Sequence, residues 1–144
     1  MKEPILIGQV MTAFPVSIES SASLDEATQL MSNNRVRHLP VTRGGDLVSI
    51  ISERDISLAV VVNRGLQPGQ TMTVDEVSAI GLYQVDVGMP LRKVVARMAR
   101  DRIGSVVVTR HGRLAGIFTA VDACRCLADQ LDEEAGIAPE RRTR

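Results

Sequence analysis

The sequence predicts a mixed α/β (α+β) domain made of two β-α-β-β-α repeats related by a pseudo-twofold axis. The first observation behind this is an internal duplication. Residues 10–55 align without a gap on 77–122, an offset of 67, with eleven identities over 46 positions, among them Leu24/Leu91, Met31/Met98, Arg35/Arg102, Gly45/Gly112 and Asp55/Asp122. Self-similarity at a fixed offset marks repeated structural units. The second is a motif that closes each repeat: Ser49-Ile50-Ile51-Ser52-Glu53-Arg54-Asp55 and Gly116-Ile117-Phe118-Thr119-Ala120-Val121-Asp122. Each reads as a buried strand entering a helix, with a hydroxyl at the N-cap and a carboxylate three residues later. The third is size. A unit of about 60 residues buries too little surface alone, so two units should cover each other's apolar faces.

Each element can be justified in order. Residues 1–9 form a leader expected to pack as an extra strand. Val10-Met11-Thr12 opens the first repeat, and Pro15 keeps Phe14 to Ile18 extended. Ser23-Leu24-Asp25-Glu26 is a capping box that starts a helix with Leu24, Ala27, Leu30 and Met31 on one face, ended by Asn33-Asn34. Arg37 to Thr42 is a strand, Gly44-Gly45 a hairpin turn, and Leu47 to Ile51 an apolar strand expected to be buried on both faces. Ser52 begins a helix running to about Asn63, and Gly65, Pro68 and Gly69 mark a linker. The second repeat follows the same plan: extension over Tyr83 to Val87, Pro90 at a helix start, and a face of Leu91, Val94, Val95 and Met98. Ser105–Thr109 and Leu114–Phe118 form a hairpin about His111-Gly112, and Thr119 starts a last helix. The predicted boundaries are 5–63 for repeat one, 64–73 for the linker, 74–132 for repeat two and 133–144 for a flexible tail.

Composition limits the function. The 144 residues carry 17 basic and 17 acidic side chains, and Phe14, Tyr83 and Phe118 are the only aromatics. Neutral charge and scarce rings argue against nucleic acid. No run of 18 apolar residues suggests a membrane span, and the N-terminus lacks a signal-peptide layout, so a cytoplasmic location is expected. Cys124 and Cys126 fall on different faces of a helix, which disfavours a metal or redox pair. No nucleophile with a base, metal cluster or Walker loop is evident, so no catalysis is expected.

The motif has a chemistry of its own. A helix N-terminus offers free N–H groups to phosphate, and a fixed carboxylate can accept a ribose diol. Capping alone would also account for Ser52/Asp55 and Thr119/Asp122, although capping prefers Glu or Gln at that place.

The element order, Val-Met-Thr, Arg-His-Leu-Pro-Val and the closing hydroxyl-x-x-Asp together resemble the CBS domain, named for cystathionine β-synthase. Two in tandem resemble a standalone Bateman module, whose effector is expected on a separate chain. The resemblance implies two sheets packed at a pseudo-twofold, with clefts for AMP, ADP, ATP or S-adenosylmethionine, and a homodimer that signals to a separate effector protein. It implies ribose contacts from Asp55 and Asp122, contacts from Ser52, Arg54, Thr119 and Val121, and phosphate contacts from Arg37 and His38. It also implies adenine-facing backbone at His38, Leu39 and Pro40 and at Ser105, Val106 and Val107, with Thr12 and Ser17 touching ligand from the opening segment. Ser49 stands where the family has glycine, and Gly104-Ser105 replaces the charged Arg37-His38, so the two clefts are expected to differ. The alternative is a dimerisation scaffold with vestigial clefts.

Overall fold

The computed structural model describes residues 3–62, 72–78 and 82–138. Repeat one contains α1 (Ile7–Val10), β1 (Thr12–Ala13), β2 (Ile18–Glu19), α2 (Leu24–Asn34), β3 (His38–Arg43), β4 (Asp46–Ser52) and α3 (Glu53–Val62). Repeat two contains α4 (Val74–Val77), β5 (Gln84–Asp86), α5 (Leu91–Asp101), β6 (Ser105–Arg110), β7 (Arg113–Thr119) and α6 (Ala120–Ala135).

The duplication holds down to register. β3 pairs antiparallel with β4, His38 opposite Ser52, and β6 with β7, Ser105 opposite Thr119. Both hairpins slip by one residue at matched places, after Val41 and after Val108. β2 and β5 pair in parallel with β3 and β6. Both hairpin turns take positive φ at two successive residues, Gly44-Gly45 and His111-Gly112. That twist suits a two-residue hairpin loop. α2 and α5 end alike, on Arg35 and Arg102 in the left-handed conformation.

Each repeat has its own core. Leu24, Ala27 and Met31 of α2 lie against Leu39, Val41 and Ile51; Val94 and Met98 of α5 lie against Val106, Val108 and Phe118. The opening segments are exchanged. Ile7 of α1 is fully buried in the second core, and Val74 of α4 is fully buried in the first. Backbone bonds fix both crossings: the Ile7 and Gly8 amides donate to Met89 and Val87, and those of Val74 and Asp75 to Ala22 and Ser20. β1 continues the first crossing, pairing with Ile117 and Gly116 of β7. The described residues thus form a four-stranded sheet, β1-β7-β6-β5, and a three-stranded one, β2-β3-β4.

Three expectations are corrected. The leader forms a helical turn, because its Ile7 reaches a core pocket rather than a sheet edge. β4 is not buried on both faces: Ser49 and Ile51 are buried while Val48 is exposed. Phe14 is not extended; it has φ 51° and is 94% exposed where the chain leaves one sheet for the other. The predicted linker falls almost wholly outside the described residues. In the predicted tail, α6 continues to Ala135 and ends on Gly136 at φ 73°, a left-handed C-cap.

Candidate functional site

The closing motif of each repeat forms the expected cap. The Ser52 amide donates to Asp55 Oδ2 at 2.8 Å, and the Asp55 amide donates back to Ser52 Oγ at 3.1 Å. In repeat two the Thr119 amide donates to Asp122 Oδ2 at 2.8 Å, its hydroxyl donates to the same oxygen at 3.1 Å, and the Asp122 amide returns to Thr119 Oγ1 at 3.4 Å. Each aspartate spends one carboxylate oxygen on the cap. The second oxygen of Asp122 lies 3.5 Å from Arg125. Aspartate suits a place where glutamate is the commoner cap, because its shorter reach holds the carboxylate against the helix start.

An open cleft of about 940 Å³ lies beside the first motif and draws on both repeats. Repeat one lines it with Arg37, His38, Ser52, Arg54 and Asp55; repeat two with Tyr83, Arg97, Arg102, Gly104 and Ser105. The motif aspartate of one repeat therefore shares a cleft with the strand start of the other. The sequence left that partnership open.

Six of the expected residues meet here: Arg37, His38, Ser52, Arg54, Asp55 and Ser105. Thr119, Val121 and Asp122 do not line this cleft; they form the equivalent motif at the start of α6. The side chains of Leu39, Pro40, Val106 and Val107 are fully buried, so only their backbone can meet a ligand. Thr12 and Ser17 are exposed outside it, with Thr12 committed to pairing with Ile117. Ala79, the counterpart of Thr12, lies outside the described residues.

His38 is half-buried, and burial lowers its pKa from the ordinary value. Asp55 and Asp122 pull it upward, and Arg37 adds to the lowering. At neutral pH it therefore enters the cleft as an uncharged imidazole, which offers a phosphate oxygen one N–H donor rather than a positive charge. Arg37 is 82% exposed and leans on Glu53 at 3.5 Å. Arg97 was missed in the sequence. Its guanidinium lies 4.3 Å from the centre of the Tyr83 ring, which brings both onto the cleft wall. A tyrosine 14 residues before an arginine gives no local signal of that contact.

Ser49 stands where the family has glycine, and repeat two keeps that glycine as Gly116. The structure gives the glycine a reason. A Cβ at Gly116 would collide with the Met11 side chain and the Thr12 carbonyl, so the exchanged β1 requires it. Ser49 is buried and its hydroxyl has no hydrogen-bond partner among the described residues. Those residues hold no cluster of three potential metal ligands, and none of their helices is long and apolar enough to cross a membrane.

The CBS domain family model matches the chain twice, at residues 7–62 and 74–129. Among curated proteins, an L-aspartate semialdehyde sulfurtransferase of Methanocaldococcus jannaschii is 29% identical over 128 residues, 87% of this chain and 24% of its own length. Hypoxic response protein 1 of Mycobacterium tuberculosis is 27% identical over 121 residues, 83% of each chain. The chain spans 24%, 38% and 42% of the first three curated relatives it matches. Among solved structures, the CBS domain pair of protein MJ0100 in complex with 5′-methylthioadenosine and S-adenosyl-L-methionine superposes with a TM-score of 0.79. It is 25% identical, over 89% of this chain and 99% of that one.

Proposed function

Because the chain belongs to the CBS domain family, we propose that it is a non-catalytic regulatory module binding an adenosine ligand, either AMP, ADP or ATP or S-adenosylmethionine, between its repeats. The observation that carries this is the Asp55 cap. It fixes a carboxylate at a helix start, facing a cleft built by both repeats, with only one oxygen consumed. A ribose diol is a fitting partner for the other oxygen. The MJ0100 pair, which holds two adenosine compounds, supports the same reading. In it Asp55 meets ribose, Ser52 meets ribose or phosphate, Arg54 meets phosphate, and Asp122 with Thr119 and Val121 serves the second cleft.

The output is a change in dimer geometry. α6 has no buried residue along its 16 positions, yet it carries Leu127 and Leu131 more than half exposed, and α3 carries Leu58 and Val62 likewise. Apolar residues four apart on two helices suit a second copy of this chain. A ligand with different affinity for two arrangements of that dimer would shift between them. A cytoplasmic location fits both the ligands and the unbridged thiol of Cys124.

Thermal unfolding with AMP, ADP, ATP, S-adenosylmethionine and adenosine, each at about 1 mM, tests the reading. A ligand at 100 times its Kd adds about 2.7 kcal/mol, a rise of several degrees. No rise with any of them, in nucleotide-free protein, would leave a dimerisation scaffold.

A further inference from the structure

The Asp55 cleft is more basic than a neutral chain requires. Four guanidinium groups line it, Arg37 and Arg54 from repeat one and Arg97 and Arg102 from repeat two, against the carboxylates of Glu53 and Asp55. Glu53 holds Arg37 at 3.5 Å and Asp101 holds Arg97 at 3.4 Å. Arg54 and Arg102 have no ion-pair partner among the described residues. Arg102 is the left-handed C-cap of α5, which sets its side chain at the cleft rather than along the helix.

Most of this lining is not a property of the repeat. At the matched positions Arg35 keeps Arg102, but Gly104 stands for Arg37, Val121 for Arg54, Leu30 for Arg97 and Val16 for Tyr83. Three of the four arginines are therefore peculiar to their own repeat. Arg54 and Arg102 alone suffice to engage the three oxygens of a monophosphate; Arg37 and Arg97, whose ion pairs are solvent-exposed and weak, are available to the further phosphates of a longer anion. A sulfonium compound with a net positive charge meets repulsion there, and an uncharged nucleoside leaves the four cations unused.

We propose that the Asp55 cleft selects adenosine ligands carrying two or three phosphates over AMP, S-adenosylmethionine and adenosine, and that each chain has one such site. The proposal rests on the adenosine reading above.

Isothermal titration of the full chain, stripped of co-purified nucleotide, tests it with ATP, ADP, AMP, adenosine and S-adenosylmethionine at low and high salt. ADP and ATP should bind at least about tenfold tighter than AMP, with one equivalent per chain and affinity falling with salt. Arg54→Gln and Arg102→Gln should each weaken ATP about tenfold and leave adenosine within about twofold. Their unliganded melting temperatures verify folding, and exposed Arg54, in the first turn of α3, keeps the test decisive if Arg102→Gln unfolds the cap. AMP or S-adenosylmethionine binding tighter than ADP overturns the selection while the adenosine reading stands. Equal losses of ATP and adenosine in Arg54→Gln overturn its phosphate role, and two ATP per chain overturn the single site. No binding by any of the five overturns this proposal together with the reading beneath it.

Discussion

Asp55 closes a helix with one oxygen and faces a cleft beside the other, so substitutions separate the two roles. Asp55→Asn keeps an acceptor for the Ser52 amide but loses the anion. Its melting temperature should stay within about 2 °C of the parent, while adenosine affinity falls at least about tenfold. Asp55→Ala should lose the affinity and also about 1 kcal/mol of stability. Full affinity in Asp55→Asn would remove the ribose role. His38 gives a pH signature. Its pKa is lowered on folding, so between the folded value and the ordinary value of about 6.5 the unfolded chain binds more protons. Its contribution to stability is complete above about pH 6.5 and is lost as pH falls through the folded pKa. Urea midpoints from pH 8 to pH 5 should fall less steeply in His38→Gln; identical slopes would contradict the assignment. The motif carboxylates were legible in the sequence because a hydroxyl and an acid three residues apart meet locally. The charge state of His38 was not, because burial depends on what the rest of the chain places around a residue.

The hairpins, caps and principal helices follow from local rules, and the duplication confirmed each of them twice. What local rules do not reveal is where an element docks. α1 is four residues long, and nothing in Ile-Gly-Gln-Val says that its isoleucine fills the other repeat's core. Gly116 could be read as a ligand-approach glycine, yet the pressure on it comes from β1. Gly116→Ser, which copies the first repeat, should cost about 1–3 kcal/mol in a denaturant midpoint because Met11 and Thr12 must move. Ser49→Ala should raise stability by about 1 kcal/mol, since it removes a buried hydroxyl with no partner. A loss on Ser49→Ala would mean that the hydroxyl is satisfied. The cleft lining was half legible for the same reason. Arg37, Arg54 and Asp55 sit in or beside motifs, whereas Arg97 reaches the cleft by stacking on Tyr83, a contact with no sequence period.

For the whole molecule, the pseudo-twofold predicted by the 67-residue offset organises both cores, but neither core belongs wholly to its own repeat. Ile7→Ala should destabilise the protein by about 2–4 kcal/mol, although Ile7 precedes the first repeat's hairpin and packs only in the second repeat's core. The exposed leucines of α3 and α6 carry the dimer prediction. Leu58→Glu with Leu131→Glu should convert a dimer to a monomer in sedimentation without lowering the melting temperature of the monomer. An unchanged oligomeric state would place the partner surface elsewhere.

A single ancestral repeat would have had a slot in its core and, at its front, the arm to fill that slot only in a neighbour. Two such chains could complete each other only as an arm-exchanged pair, whose folding depended on protein concentration. Carrying both repeats on one chain makes that encounter intramolecular, at an effective concentration on the order of millimolar. Today's linker thus replaces mass action, and a chain cut there should fold again only when both halves are supplied together.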